Sequence, residues 1–583
     1  MSYGIYGCPE QDSNLHASQH SHLKRARLPF RHLGIANAKL ITFSDSTKFF
    51  SNFFLFFSSK KSNKKHDGVF DAPANVYFPM YNNQSSPTKR YSHDTNHVCY
   101  NLWKDYKLYN YIEEMDIINT LNDWLWSYLL IGLLLVAAVW FTIKSRGVQF
   151  RMFGEMWRLL ANSGKREGDS GKDSHHTVSS FQAFAVSIAS RVGTGNLAGV
   201  ATAIAVGGAG AVFWMWVIAL LGSASAFVES TLAQLYKVKG ENSFKGGPAY
   251  YIQKGLGKRW WAVTFAVLIT ITFGLAFNSV QANTITAAAR VSFGWDPAIV
   301  GAIISVMTLV VIFGGIQRIS RFSEIVVPVM AIAYILLAIT VIAMNAGKIP
   351  EVFSMIFREA FTGSAALGGG IGSAVMMGIK RGLFSNEAGE GSAPNVAATA
   401  SVSHPVKQGL LQTLAVFTDT LLICTCTALI ILFSGVLGNG ESGIALTQSA
   451  LEAEVGGIGG TFVAVAIFFF AFTSIVSNYY YGETNLQFIS GKKWVIPAYR
   501  LTVGGMVMAG AITSLEAAWA MADICMGLMT LCNLLAIFLL GKYAMRLLKD
   551  YQAQRKAGKN PVYHSSTIPE IADETECWSS TND

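Results

Sequence analysis

From Leu125 onward the chain is divided into eleven apolar stretches, each near or above the ~20 residues a helix needs to cross a bilayer; they run over 124–143, 181–206, 211–237, 260–290, 297–316, 322–345, 366–398, 405–435, 458–481, 494–513 and 516–541. No other feature restricts the fold as much. In hydrocarbon every backbone N–H and C=O must be bonded internally, so such stretches are confined to helices. Charged residues make up only 14% of the chain, against the ~25% usual for soluble proteins. The expected fold class is an all-α integral membrane protein with about 11 transmembrane helices. It forms one polytopic domain over 115–549, followed by a tail at 550–583.

Two of these stretches are interrupted at bilayer depth. Residues 384–393, FSNEAGEGSA, place two carboxylates, an amide and two glycines inside the seventh. Residues 190–199, SRVGTGNLAG, interrupt the second. Polar, glycine-broken backbone is tolerated there only where it lines a cavity or is buried in protein. With the first span set aside as an extra, the remaining ten split five and five, and each five begins with a broken helix. An odd number of spans per half inverts the second half in the membrane, the inverted-repeat plan of many secondary transporters. The break frees N–H groups at one half-helix end and C=O groups at the other. The first suits a carboxylate and the second a cation or an ammonium, so one broken pair matches the two ends of a zwitterionic amino acid.

Basic residues give the orientation. One set of alternating loops plus the tail collects 25 Lys/Arg between 144 and 559, whereas the opposite loops hold three, Arg290, Lys348 and Arg358. The rich side is read as cytoplasmic, which puts the C-terminus inside. The net charge of +9 is then membrane topology and the N-terminal segment rather than a nucleic-acid surface. Residues 1–114 are compositionally foreign, with 14 Lys/Arg and one short apolar run at Phe49–Phe57. They are expected to be disordered and dispensable, with Met115 as the natural beginning; an accessory or targeting extension is the other reading.

The chemistry of other classes is missing. All eleven histidines lie outside the spans, and neither an HExxH nor a P-loop occurs, which argues against a zinc protease and a primary pump. No repeated pore-lining ring points to a channel. The chain is not expected to be an enzyme or to need a cofactor. Its seven cysteines have no disulfide or metal spacing.

Four motifs in order, FQAFAVSIASRVGTGNLAGVATAIAVGGAGAVFWMW at 181–216, GGPAYYI at 246–252, GLFSNEAGEGSAPNVAATA at 382–400 and AFTSIVSNYYYGETNLQFI at 471–489, resemble the alanine/glycine:cation symporter family, also called sodium:alanine symporters. The resemblance runs from Met115 to about Lys549. It implies the five-plus-five inverted repeat of the leucine-transporter type and sodium-coupled uptake of alanine or glycine across the cell membrane. It also implies site positions. Gly193, Thr194, Gly195 and Asn196 would meet the substrate carboxylate. Phe384, Ser385, Asn386 and Gly389 would take the ammonium end and line the side-chain pocket. Thr473, Ser474 and Ser477 would offer hydroxyls to sodium beside carbonyls near Val192 and Gly195. Phe277, with Phe273, Asn278, Gln281 and Asn283, would form the opposite wall. The family pocket often has a tryptophan where this chain has Asn478, and this departure leaves the side-chain preference open.

Several residues keep two readings. Glu387 and Glu390 are either ligands or structural partners of N–H groups freed by the break. Thr473, Ser474 and Ser477 either bind sodium or bond back to their own helix. Glu229 and Asp419 are either functional or paired with a neighbouring helix. Arg191 and the pair Lys380–Arg381 either form cytoplasmic-side gating pairs or snorkel, and Tyr479–Tyr481 are read as packing or interface anchors. Coupling to protons, through a carboxylate such as Glu387 or Asp419, stays the alternative to sodium.

Overall fold

The computed structural model describes residues 120–164, 178–240, 243–361 and 372–578; the expectation for 1–114 falls outside them. Apart from a hairpin of β1 (Val238–Lys239) and β2 (Phe244–Lys245), the described elements are helical. In chain order the ones that matter here begin with α1 (Thr120–Lys144), α2 (Phe153–Asn162), α3 (Ser180–Arg191), α4 (Gly195–Gly207) and α5 (Gly210–Leu235). Then come α6 (Pro248–Leu256), α7 (Arg259–Phe293), α8 (Pro297–Ile312), α9 (Gly315–Met344) and α10 (Ile349–Glu359). The second half comprises α11 (Ser373–Asn386), α12 (Pro394–Ala397), α13 (Pro405–Ser434) and α14 (Gly443–Val455). It ends with α15 (Ile458–Ile489), α16 (Val495–Ile512) and α17 (Leu515–Lys556).

Eight of the described helices are long and apolar enough to cross a membrane. The other three expected crossings take shorter forms. α8 has 16 residues, and the stretches expected at 181–206 and 366–398 are the broken pairs α3/α4 and α11/α12. Local chemistry sets the starts. Ser179 and Gln182 form a capping box at α3, each side chain accepting from the other's backbone N–H, which satisfies two donors the helix leaves free. Asp296 caps α8 ahead of Pro297, whose missing N–H costs nothing at a first turn. Along α9, Ile325, Val329, Ile332, Leu336 and Ile339 are exposed at helical spacing, an apolar stripe suited to lipid.

The halves correspond element by element. α5 packs on α13, α7 on α15 and α8 on α16, so these three first-half helices each touch their second-half counterpart, in keeping with a pseudo-two-fold arrangement. The broken pairs lie between them. At one end of the bundle they are joined, because Ser401 N donates to Val178 O at 3.1 Å, just beyond α12 and just before α3.

That end is covered by the residues after α17. Tyr563 N donates to Ser403 O at 2.9 Å, Ser403 Oγ to Pro561 O at 2.8 Å, and Trp578 Nε1 to Gln234 O at 3.0 Å. Gln234 in turn donates to Ala397 O and Ala400 O, and Lys237 Nζ donates to Ala400 O at 3.2 Å. The Lys237 ammonium lies 4.6 Å from the Trp578 ring centroid and 4.1 Å from that of Phe244. Burial pushes this amine down to about 7, while the ring faces and the oxygens favour its charged form. The carboxy-terminal segment is thus a strap across the end of the second broken pair.

Candidate transport site

Each break has its freed backbone groups met by side chains from other helices. Between α11 and α12, Glu387 adopts φ 55°, Gly389 φ 90° and Gly391 φ 87°. A left-handed Glu387, where a side chain is strained, is the kind of outlier that clusters at functional sites. Gly389 N and Gly391 N donate to the two oxygens of Glu229, at 3.1 and 3.0 Å. Asn533 Nδ2 bonds Glu229 at 2.8 Å and Gly389 O at 2.9 Å, and Tyr251 OH donates to Asn533 Oδ1. Between α3 and α4, Gly193 N donates to Asn196 Oδ1 at 3.0 Å. Thr194 N and Thr194 Oγ1 both donate to Gln281 Oε1, at 2.9 and 2.7 Å.

The breaks are bridged by polar side chains. Arg191 Nε donates to Asn386 O at 2.8 Å, and its Nη1 reaches Ser187 Oγ at 3.0 Å and Gln412 Oε1 at 2.9 Å. Asp419 accepts from Asn196 Nδ2 at 2.6 Å on one oxygen, and from Ser385 Oγ and Thr420 Oγ1, both at 2.8 Å, on the other. Glu387 accepts from Ser190 at 2.5 Å, Ser392 at 2.6 Å and Tyr481 OH at 3.3 Å. None of Arg191, Asn196, Asn386, Glu387 and Asp419 is more than 1% exposed. Wide, π-type turns carry this constellation: Gly195–Gly199 holds Asn196, Thr272–Phe277 holds Phe273 and Phe277, and Phe417–Cys424 holds Asp419. Such turns add a residue to the helix and re-aim side chains, often at functional sites.

A second corner is rich in oxygen. Ser474 Oγ lies 2.8 Å from Ala189 O, 3.0 Å from Phe470 O and 3.4 Å from Val192 O, and Thr473 Oγ1 lies 2.9 Å from Phe470 O. One hydroxyl proton cannot serve three carbonyls, so this corner holds more acceptors than donors. A hard cation bound by oxygens matches that surplus. Gly193 lies alongside, and a Cβ there would sit 2.3 Å from Ser474 Oγ and 2.8 Å from Gln281 Oε1. Gly193→Ala is expected to lower uptake per folded molecule at least ~tenfold, equivalent to 1.4 kcal/mol, measured as initial rate in proteoliposomes. A wild-type rate would remove the close approach from the mechanism.

Toward the end away from the strap the site is closed by rings. Phe384 packs on Phe277 with centroids 4.4 Å apart and on Trp519 at 4.6 Å. The Arg381 guanidinium stacks on Trp519 at 4.1 Å. Arg381 grips Asp523 with two bonds of 3.0 and 2.8 Å, and Lys380 Nζ lies 2.8 Å from the same carboxylate.

The residues expected from sequence thus converge, but with more self-satisfaction than anticipated. Gly193, Thr194, Gly195 and Asn196 line the first break, with the Gly193 and Thr194 N–H groups occupied by side chains. Phe384, Ser385, Asn386 and Gly389 line the second. Thr473 and Ser474 both bond back to Phe470 O, and Ser474 reaches Val192 as well, while Ser477 Oγ has no partner. Lys380 and Arg381 do not snorkel; both form ion pairs, with Asp523 as the shared partner. The pair is buried and lies in α11, ahead of the break and away from the strap-covered end. Arg191 does not snorkel either; it joins the two breaks. Tyr481 is buried and donates to Glu387, so it does not anchor an interface. Asn533, Gln412, Ser190, Trp519 and Asp523 were not singled out. Asp523 was detectable, as a carboxylate inside an apolar stretch.

A family model described as "Sodium:alanine symporter family" matches residues 111–565. Among curated proteins, the chain is 50% identical over 463 residues to "Probable sodium/glutamine symporter GlnT" of Bacillus subtilis (strain 168), covering 79% of this chain and 95% of that one. It is 51% identical to "Amino-acid carrier protein AlsT" of the same strain, covering 79% and 97%. It is 36% identical to "Sodium/alanine symporter AgcS" of Methanococcus maripaludis, covering 76% and 98%. The solved structure of MhsT in complex with L-phenylalanine aligns over 70% of this chain and 93% of its own, at 15% identity and a TM-score of 0.48.

Proposed function

The chain belongs to the sodium:alanine symporter family, and from that premise we propose that it imports a small neutral amino acid together with sodium by alternating access. At the coarser level it is a cation-coupled amino-acid symporter and a multi-pass membrane protein. The observation that carries the finer reading is the meeting of the two breaks in a fully buried constellation, with the oxygen-rich corner at Ser474 beside it. Backbone N–H groups of the first break receive the substrate carboxylate once Gln281 withdraws from Thr194. The ammonium end is drawn to the Asp419 carboxylate beside the second break. Sodium occupies the corner of Ala189 O, Val192 O, Phe470 O, Thr473 and Ser474. The basic loops make the strap side cytoplasmic, so the Arg381–Asp523 closure faces outward.

Alanine and glycine suit the small residues at both breaks. Relatives are named for alanine and for glutamine, so the side-chain preference is decided by experiment. Proton coupling is the second reading, favoured by Asp419 and Glu387, whose partners in hydrogen bonding are otherwise neutral. The test is uptake of labelled alanine, glycine and glutamine by the full chain in liposomes under a sodium gradient, a proton gradient or neither. Accumulation with sodium alone supports the proposal, accumulation with protons alone moves coupling to a carboxylate, and accumulation with neither overturns both. Within this scheme Ser474→Ala is expected to raise the half-saturating sodium concentration ~tenfold, the loss of about 1.4 kcal/mol of ion binding. An unchanged sodium requirement would put the ion elsewhere.

A further inference from the structure

We propose that Asn478 is a specificity-determining residue and that the amino acid carried bears a side-chain carboxamide, an assignment that rests on the symporter reading above and narrows it. Ser474, Asn478 and Tyr481 follow one another at intervals of four and three along α15, with Ser477 three positions after Ser474 and four before Tyr481, and together they form one strip. That strip faces both breaks, since Ser474 meets the carbonyls of α3 and Tyr481 meets Glu387. Asn478 lies between them and is 1% exposed.

Its hydrogen bonding is incomplete in a way no reorientation repairs. Ser190 Oγ lies 2.5 Å from Glu387 Oε1 and 2.7 Å from Asn478 Oδ1. A hydroxyl has one proton, and the carboxylate is the stronger acceptor. Asn478 Nδ2 has no partner at all. Turning the amide over lets Nδ2 donate to Ser190 Oγ, but Oδ1 is then left alone. In either orientation one edge of a buried carboxamide waits for a partner. Ser477 Oγ next to it and Asn386 Nδ2 at the second break are unpartnered too.

The chemistry of that edge selects among side chains. An apolar side chain such as the alanine methyl leaves it unpaired, which is the discrimination buried polar sites achieve most strongly. An acidic side chain accepts only, and it would lie beside the Glu387 carboxylate. A basic one finds Glu387 already holding three hydroxyl donors, from Ser190, Ser392 and Tyr481. A carboxamide offers a donor and an acceptor on one planar edge and pairs with Asn478 whichever way that amide is turned.

The experiment is sodium-driven uptake by the full chain in proteoliposomes, with labelled glutamine and labelled alanine compared, and with unlabelled asparagine, serine, glutamate and lysine as competitors. The expected result is a kcat/KM for glutamine at least tenfold above that for alanine, with asparagine competing better than serine, glutamate or lysine. Asn478→Leu, of similar size, is expected to lower the glutamine-to-alanine ratio at least tenfold without changing the sodium requirement. Alanine preferred by the wild-type chain, or both substrates reduced in proportion by Asn478→Leu, overturns the carboxamide assignment while leaving the symporter reading intact. Better competition by glutamate or lysine overturns it too. No sodium-driven uptake of any amino acid overturns both.

Discussion

Replacing Glu229 with leucine is expected to destabilise the protein by about 2–6 kcal/mol, because two backbone donors lose their acceptor and each buried, unpaired group costs roughly 1–3 kcal/mol. Those donors are Gly389 N and Gly391 N, held in a left-handed turn, and no other acceptor meets them among the described residues. Asn533 keeps its bonds to Gly389 O and from Tyr251 OH, so the loss concentrates on the break itself. The readouts are melting temperature in detergent and uptake per folded molecule. Both should fall, uptake to background, since a break without its clamp no longer presents Asn386 and Ser385 in fixed positions. Glu229→Gln should fall between, because one amide oxygen replaces one carboxylate oxygen while the amide N–H₂ confronts a second donor. Wild-type uptake by Glu229→Leu would show that the break holds itself.

The second large effect is expected at Asp523. It is the counter-charge of both Lys380 and Arg381, and all three are buried. Removing one partner of such a group costs roughly 3–5 kcal/mol, because the remaining charges are left uncompensated, whereas replacing the whole group with apolar residues is often near neutral. Asp523→Asn should therefore open the Trp519–Phe384 side, raise the reactivity of a cysteine introduced at Phe384 toward a water-soluble thiol reagent, and cut uptake at least ~tenfold, the equivalent of 1.4 kcal/mol. The combined change Lys380→Met, Arg381→Leu and Asp523→Leu should recover the melting temperature but not the uptake. An Asp523→Asn protein with normal stability and an inaccessible Phe384 position would remove this closure from the transport cycle.

The breaks themselves were legible in the sequence because glycine, amide and carboxylate inside long apolar stretches have few physical readings. Their partners were not, because these come from remote parts of the chain. Glu229 is 160 positions from Gly389 and Asn533 is 144, and no periodicity links them. Gln281 was placed on the opposite wall, yet that it would occupy the Thr194 N–H required the folded structure. For Lys380 and Arg381 the sequence leaves pairing and snorkelling equally open, because their partner Asp523 lies 142 positions from Arg381. Residues preceding a break lie on the side from which the chain enters, which nearness to the break does not reveal. Ser474 illustrates the ambiguity left to hydroxyls, since it bonds its own helix and also reaches Ala189 O in α3 and Val192 O just beyond it.

The strap carries a consequence for how the molecule is assembled in time. Its closing contact joins Trp578 to Gln234, 344 positions earlier, so every crossing helix has been synthesised before that bond can form. Closing so long a loop is slow relative to local helix formation. A newly made chain therefore passes through a stage in which the bundle is complete and this end is still uncovered. A chain cut after Lys556 would remain at that stage permanently.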